Sequence, residues 1–116
     1  MIKDGKDIAL LLTLYGYVPE NEYYMDRFKK LEKIKNPITC DMLPDYFIHF
    51  ILKHIAGFVV VENNHPFYSY ENKRNGCIVK TCYYSANFNA ATVYKNEATV
   101  NFDNPIKFLN FLFENL

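Results

Sequence analysis

Between residues 57 and 103 the chain is a succession of short β-branched and aromatic runs: Phe58-Val59-Val60-Val61, Phe67-Tyr68-Ser69-Tyr70, then residues 77–85, 90–94 and 98–102. Clusters of Asn, Gly and Pro at 63–66 and 72–76 separate the first runs, and residues 85–89 and 95–97 supply the later turns. This punctuation predicts five strands in an antiparallel meander, with Asn75-Gly76 the strongest hairpin signal. The last two strands alternate with period two. Ala91, Val93, Ala98, Val100 and Phe102 fall on one face, and Thr92, Tyr94, Thr99 and Asn101 on the other. That is the pattern of a sheet with one face on helices and one in water. The half from Tyr68 to Tyr84 is semi-apolar on both faces, and alternation does not choose between them.

Helical spacing flanks the meander. Asp4 and Asp7 form a capping-box pattern ahead of a first helix at about 6–15, where Ile8, Leu11, Leu12 and Tyr15 recur at i, i+3, i+4 and i+7. Ala9, Leu10 and Leu14 widen that stripe until the helix is apolar nearly all round, which predicts burial on several sides. Gly16 and Pro19 end it. A second helix is expected at about 20–35, acidic at its start and lysine-rich toward its end, in accord with the helix dipole. Asn36-Pro37 closes it. A third, at about 44–56, carries Tyr46, Phe47, Ile48, Phe50, Ile51, Leu52 and Ile55 and is too apolar for a surface helix. A fourth, at 105–115, is capped by Asp103 or Asn104 with Pro105 at its first position. The expected architecture is a single α+β domain over residues 1–116, with N-terminal helices packed on a five-stranded antiparallel meander and a C-terminal helix.

Half of the 116 residues are apolar, enough to bury one core, and thirteen acids balance thirteen Lys and Arg residues. Zero net charge argues against gripping a phosphate backbone or an anionic membrane. No apolar run has the length of a membrane span, and the two aspartates near the start argue against a secretory signal. Three cysteines without CxxC spacing fit a reducing cytoplasm. The abundant Lys, Asn, Ile, Tyr and Phe have AT-rich codons, which predicts an AT-rich genome or mobile element.

Few constellations suggest chemistry. His49 and His54 lie five apart on one helix, too far around it for a shared metal, so no metal site is expected. Cys77 and Cys82, five apart on one strand, point to opposite faces and read as small hydrophobes. Cys40, His65 and Asp41 have the residue types of a nucleophilic site but no spacing that demands one. Phosphate-binding glycine loops are missing, so neither cofactor nor enzyme activity is expected. The tyrosines stand out. Tyr68, Tyr70, Tyr83, Tyr84 and Tyr94 on the meander read either as half-buried core or as an aromatic protein-binding patch, with Tyr68, Tyr70, Tyr84 and Tyr94 the candidate contacts. Lys29 and Lys33 of the second helix read either as a solvated face or as a positive patch for an acidic partner.

Residues 43–57, LPDYFIHFILKHIAG, resemble the signature region of SUKH-type proteins, an α+β superfamily dominated by bacterial toxin-immunity proteins. In that family Leu-Pro opens a helix that ends in a glycine-containing turn before the sheet; here Leu43-Pro44 and Gly57 hold those places. The segment 104–112, NPIKFLNFL, is similar to the family's closing helix. The match covers about residues 22–116, leaves the first helix as an addition, and replaces the usual Asn-Gly-Gly turn with Ile55-Ala56-Gly57. The resemblance implies action by binding: a small cytoplasmic immunity protein that neutralises a cognate toxin through direct contact. The competing expectations are a phage or mobile-element inhibitor of a host defence complex and, behind both, a small enzyme or ligand-binding protein.

Overall fold

In the computed structural model, which describes residues 1–34 and 38–115, the meander forms one sheet of five antiparallel strands in sequence order. They are β1 (Val59–Asn64), β2 (Phe67–Glu71), β3 (Ile78–Tyr84), β4 (Asn87–Lys95) and β5 (Ala98–Phe102). Four helices accompany it: α1 (Gly5–Leu14), α2 (Glu22–Leu31), α3 (Asp45–Phe50) and α4 (Pro105–Glu114). The chain is thus α+β, as its periodicity predicts. Helices and inner sheet face share one core, in which Phe47, Ile51, Phe58, Tyr70, Val79, Phe88 and Phe108 are buried.

The helix ends follow the sequence closely. Asp4 accepts from Asp7 N–H at 3.1 Å while Asp7 accepts from Lys3 N–H at 2.8 Å, a capping box shifted by one residue because Asp is shorter than Glu. At the other end Tyr17 N–H donates to Leu12 O and Gly16 N–H to Thr13 O, with Gly16 at φ 79°, the Schellman arrangement. Asn104 caps α4 by accepting from Lys107 N–H.

Four expectations need correction. α1 is not buried all round: Leu10 and Leu14 are 56% and 71% exposed, on the side where α1 forms an open groove with Asn110 and Phe113 of the C-terminal half of α4. α2 starts at Glu22, since Asn21 caps it by accepting from Tyr24 N–H, and it ends at Leu31. Lys33 therefore lies in the turn beyond the helix, and the expected stop at Lys35, Asn36 and Pro37 lies outside the described residues. The third helix changes character after Phe50, where residues Ile51–Ile55 form a π turn closed by Ala56 N–H donating to Ile51 O at 2.8 Å. Finally, the turns are tighter than the punctuation implies at three hairpins and looser at the fourth. His65-Pro66, Ser85-Ala86 and Asn96-Glu97 are two-residue turns, so Asn63, Asn64, Asn87 to Asn89 and Lys95 belong to strands. Asn75-Gly76 instead ends a six-residue loop, 72–77, held by buried Asn72. Its side chain accepts from Arg74 N–H and donates to Ala56 O, tying the loop to the end of the third helix.

Two backbone features fix how the layers meet. Gly5 lies against the end of α2, where an added Cβ would stand 2.1 Å from Leu31 O. The Ser85-Ala86 turn places both residues at positive φ, 49° and 62°, without the Asn-Gly usual there. Its tip is clasped by the chain entering α3: Asp45 N–H donates to Ala86 O and Phe88 N–H to Leu43 O, both at 2.9 Å.

These features generate two opposite expectations for stability. Gly5→Ala should lower it by about 1–3 kcal/mol, because the obstructing atom is backbone and cannot swing away. Ala86→Gly should raise it by up to about 1 kcal/mol by removing left-handed strain from an L residue. Urea unfolding of both variants checks the pair; equal midpoints would contradict the packing argument.

Candidate functional site

Where the third helix crosses β1–β3, Asp45, Tyr46, His49, Asn63, Tyr68 and Tyr83 line a polar cavity of about 210 Å³. Local sequence builds it directly. Asp45 and His49 sit four residues apart on a helix whose other positions are mostly apolar, so they share one polar stripe, with Lys53 one turn further on. Tyr68 and Tyr70 are inward-facing neighbours on β2, and the register that pairs Tyr68 with Thr81 and Tyr70 with Val79 brings Tyr83 to the same face of β3.

Beneath the cavity runs a chain of hydrogen bonds. His49 Nδ1 meets the Tyr70 hydroxyl at 2.8 Å, and Tyr70 meets the Tyr83 hydroxyl at 3.0 Å. Asp45 Oδ1 accepts from the Tyr24 hydroxyl at 2.9 Å and from Tyr46 N–H at 2.8 Å. Tyr46 stacks on Tyr24 with ring centroids 4.7 Å apart, and Tyr68 meets Tyr83 edge-on at 5.5 Å. Thr81 Oγ1, on the same inner face, is buried with no hydrogen-bond partner among the described residues.

Burial sets the protonation states. It pushes the Tyr70 hydroxyl up to about 12 and Tyr83 well above the usual phenol range, so both remain neutral donors. Burial, aided by Lys53, pulls His49 below its ordinary 6.5, although Asp45 opposes the shift. At neutral pH the imidazole is uncharged, and Asp45 supplies the formal charge of the wall.

The six candidate residues divide among separate places. Tyr68 lines the cavity. Tyr70 is 0% exposed, so the expectation that it meets a partner is corrected: its side chain fills the core and its hydroxyl is used twice. Tyr84 and Tyr94 are 75% and 37% exposed on the opposite, open face, where Lys80 Nζ lies 5.5 Å over the Tyr94 ring. Lys29 and Lys33 are exposed on α2 and the turn after it, in the helical layer. The fold does not unite lysines and open-face tyrosines in one surface. Tyr83, one of the meander tyrosines, lines the cavity with Tyr68, whereas Asp45, Tyr46, His49 and Asn63 escaped the sequence reading as binding residues, as did the exposed Phe67. The i, i+4 polar pair interrupting an apolar helix is the signal that could have found Asp45 and His49.

The cysteine constellation is not assembled. Cys40 Sγ donates to Asp103 O at 3.0 Å on the β4–β5 side of the sheet, while His65 is in the β1–β2 turn at the other edge. Burial and the carboxylates of Asp103 and Asp41 raise the Cys40 thiol, the wrong direction for a nucleophile. Cys77 is buried, whereas Cys82 is only half-buried on the open face. Among the described residues no three His, Cys, Asp or Glu side chains group as metal ligands, and no helix is long and apolar enough to cross a membrane. No family model, curated protein or solved structure matches the chain.

The His49 shift has a sign that can be tested. An imidazole depressed in the fold takes up its proton later than in the unfolded chain. Its contribution is therefore complete above about pH 6.5 and is lost as pH falls through that value toward the folded one. The groups around it are Asp45, Lys53, His54 and Tyr70. Unfolding midpoints measured at pH 7.5 and pH 5.5 should fall on acidification in the parent and fall less in His49→Asn, which keeps an acceptor for Tyr70. Identical pH dependence in the two proteins would contradict the assignment.

Proposed function

We propose that this chain is a small protein-binding module, acting in the cytoplasm as an immunity protein that neutralises a cognate toxin by direct contact. The observation that carries the reading is the cavity at the turn end of the sheet, built on a helix and three strands and bordered by Tyr46, which is 41% exposed despite its stacking on Tyr24. Rigid aromatic rings beside a small concavity match the composition of interface hot spots, where Tyr, Trp and Arg dominate. At about 210 Å³ the cavity lies below the range of about 300–1,000 Å³ typical of small-molecule sites, and fits one inserted side chain better than a nucleotide or cofactor.

The open sheet face lends further support. Phe67 and Tyr84 are exposed at the same end of the sheet as the cavity, and Phe67 pairs with Cys82, two residues from Tyr84 on one face. A partner seated at the turn end thus meets aromatic surface on both sides of the sheet. The resemblance of residues 43–57 to SUKH-type proteins agrees, since the cavity-lining Asp45, Tyr46 and His49 fall inside that segment.

Co-expression with the product of the adjacent gene tests the reading, because cognate immunity is encoded beside its toxin. A stable complex is expected, and Tyr46→Ala should weaken it by roughly thirtyfold, the effect of a hot spot worth about 2 kcal/mol. A chain that forms no complex with that product, or a complex indifferent to Tyr46→Ala and Tyr68→Ala together, would sink the proposal.

A further inference from the structure

The cavity has a definite electrostatic character, which narrows what enters it. Its walls carry a single formal charge, the Asp45 carboxylate. Oδ1 of that carboxylate is committed to Tyr24 and Tyr46, while Oδ2 takes no hydrogen bond among the described residues. Asn63 adds an amide group, which can accept or donate, and Tyr46, Tyr68 and Tyr83 add aromatic wall. The nearby cations are either solvated or engaged. Lys53 is exposed one turn beyond His49, and Arg27 is held by Tyr23, Asp41 O and Asn87. His54 packs on Phe50. An anion entering here would face the Asp45 carboxylate with no Lys or Arg among the lining residues to offset it; a cation would find a half-buried carboxylate and ring faces together.

Among cationic groups the planar guanidinium suits this wall best. It forks to two acceptors and stacks on aromatic rings, whereas an ammonium is a compact, strongly hydrated point charge. We infer that the cavity receives the guanidinium of an arginine presented by the protein partner, with Asp45 as its carboxylate and Tyr46 and Tyr68 as its aromatic walls. This rests on the protein-binding reading above and adds the chemistry of the anchor. It also separates the Asp45 cavity from the lysines of α2, which would select an acidic partner.

The test titrates the isotope-labelled full chain with N-acetyl-arginine methylamide and, as a neutral isostere, the corresponding citrulline derivative, following backbone amide shifts. Saturable shifts are expected in the millimolar range, centred on Asp45, Tyr46, His49, Asn63 and Tyr68. The citrulline derivative, or Asp45→Asn with the arginine derivative, should bind at least about tenfold more weakly. The citrulline comparison needs no variant, so it survives any folding defect in Asp45→Asn. Equal binding of the two derivatives, or no saturable shift with arginine, would overturn the inference even where the adjacent gene's product co-purifies, and would leave the protein-binding reading standing. Arginine binding without any protein complex would assign the cavity to a free guanidinium compound and overturn the docking role.

Discussion

The short backbone clasp between residues 43–45 and the tip of the β3–β4 hairpin governs how the helical layer sits on the sheet. The third helix is apolar over most of its circumference, and hydrophobic contact alone is non-directional. Greasy surfaces of this kind permit several rotations and registers at similar cost. Two backbone hydrogen bonds, Asp45 N–H to Ala86 O and Phe88 N–H to Leu43 O, remove that freedom. The pairing takes its donors from Asp45 and Phe88, so Pro44, which has no N–H, sits between them without loss. The left-handed residues Ser85 and Ala86 cost about 1–2 kcal/mol each, of the same order as what two such bonds return. The hairpin tip holds its strained shape because the helix entrance holds it from above.

Given that clasp, the polar stripe of the helix lands on the tyrosines of the sheet. His49 reaches Tyr70, Tyr70 reaches Tyr83, and Asp45 reaches back to Tyr24 on α2. Each bond also serves the core, because a buried hydroxyl or imidazole left unpaired costs about 1–3 kcal/mol. The network therefore specifies one rotation of the helix, while the apolar contacts around it supply most of the driving force. Tyr17, Phe28, Phe47 and Phe50 then join the α1–α2 connection to the same helix through edge-on ring contacts at 5.1 to 6.0 Å.

Much of this was legible in residue order, and the limits have identifiable causes. Strand number, helix number and the facing of β4 and β5 follow from local period and punctuation, which short-range sterics enforce. The Asn75-Gly76 signal misled about hairpin length because buried Asn72 reorganises the whole loop around its own amide. Nothing in Ser85-Ala86 announces a tight turn, since its strain is balanced by a contact some forty residues away in sequence. For Tyr70 the choice between core and partner surface is undecided in the sequence for a similar reason. Its burial depends on which face of β2 meets the helix, and that choice is made by cross-strand register rather than by the alternation of β2 itself. The cavity needed helix three and three strands in place at once, so only its Asp45–His49 pair left a local trace.

A chain with thirteen charges of each sign casts little long-range field. Partner encounter then gains little from electrostatic steering, and selectivity has to reside in contacts at short range. Under the proposed reading, one half-buried carboxylate within an aromatic wall would be such a contact, because its worth depends on excluding water and on a geometry already fixed before binding. The same residues that hold the helix on the sheet also hold this wall rigid. On the protein-binding reading proposed above, fold and recognition would draw on one network, with the core tyrosines acting from beneath the surface through the groups they position.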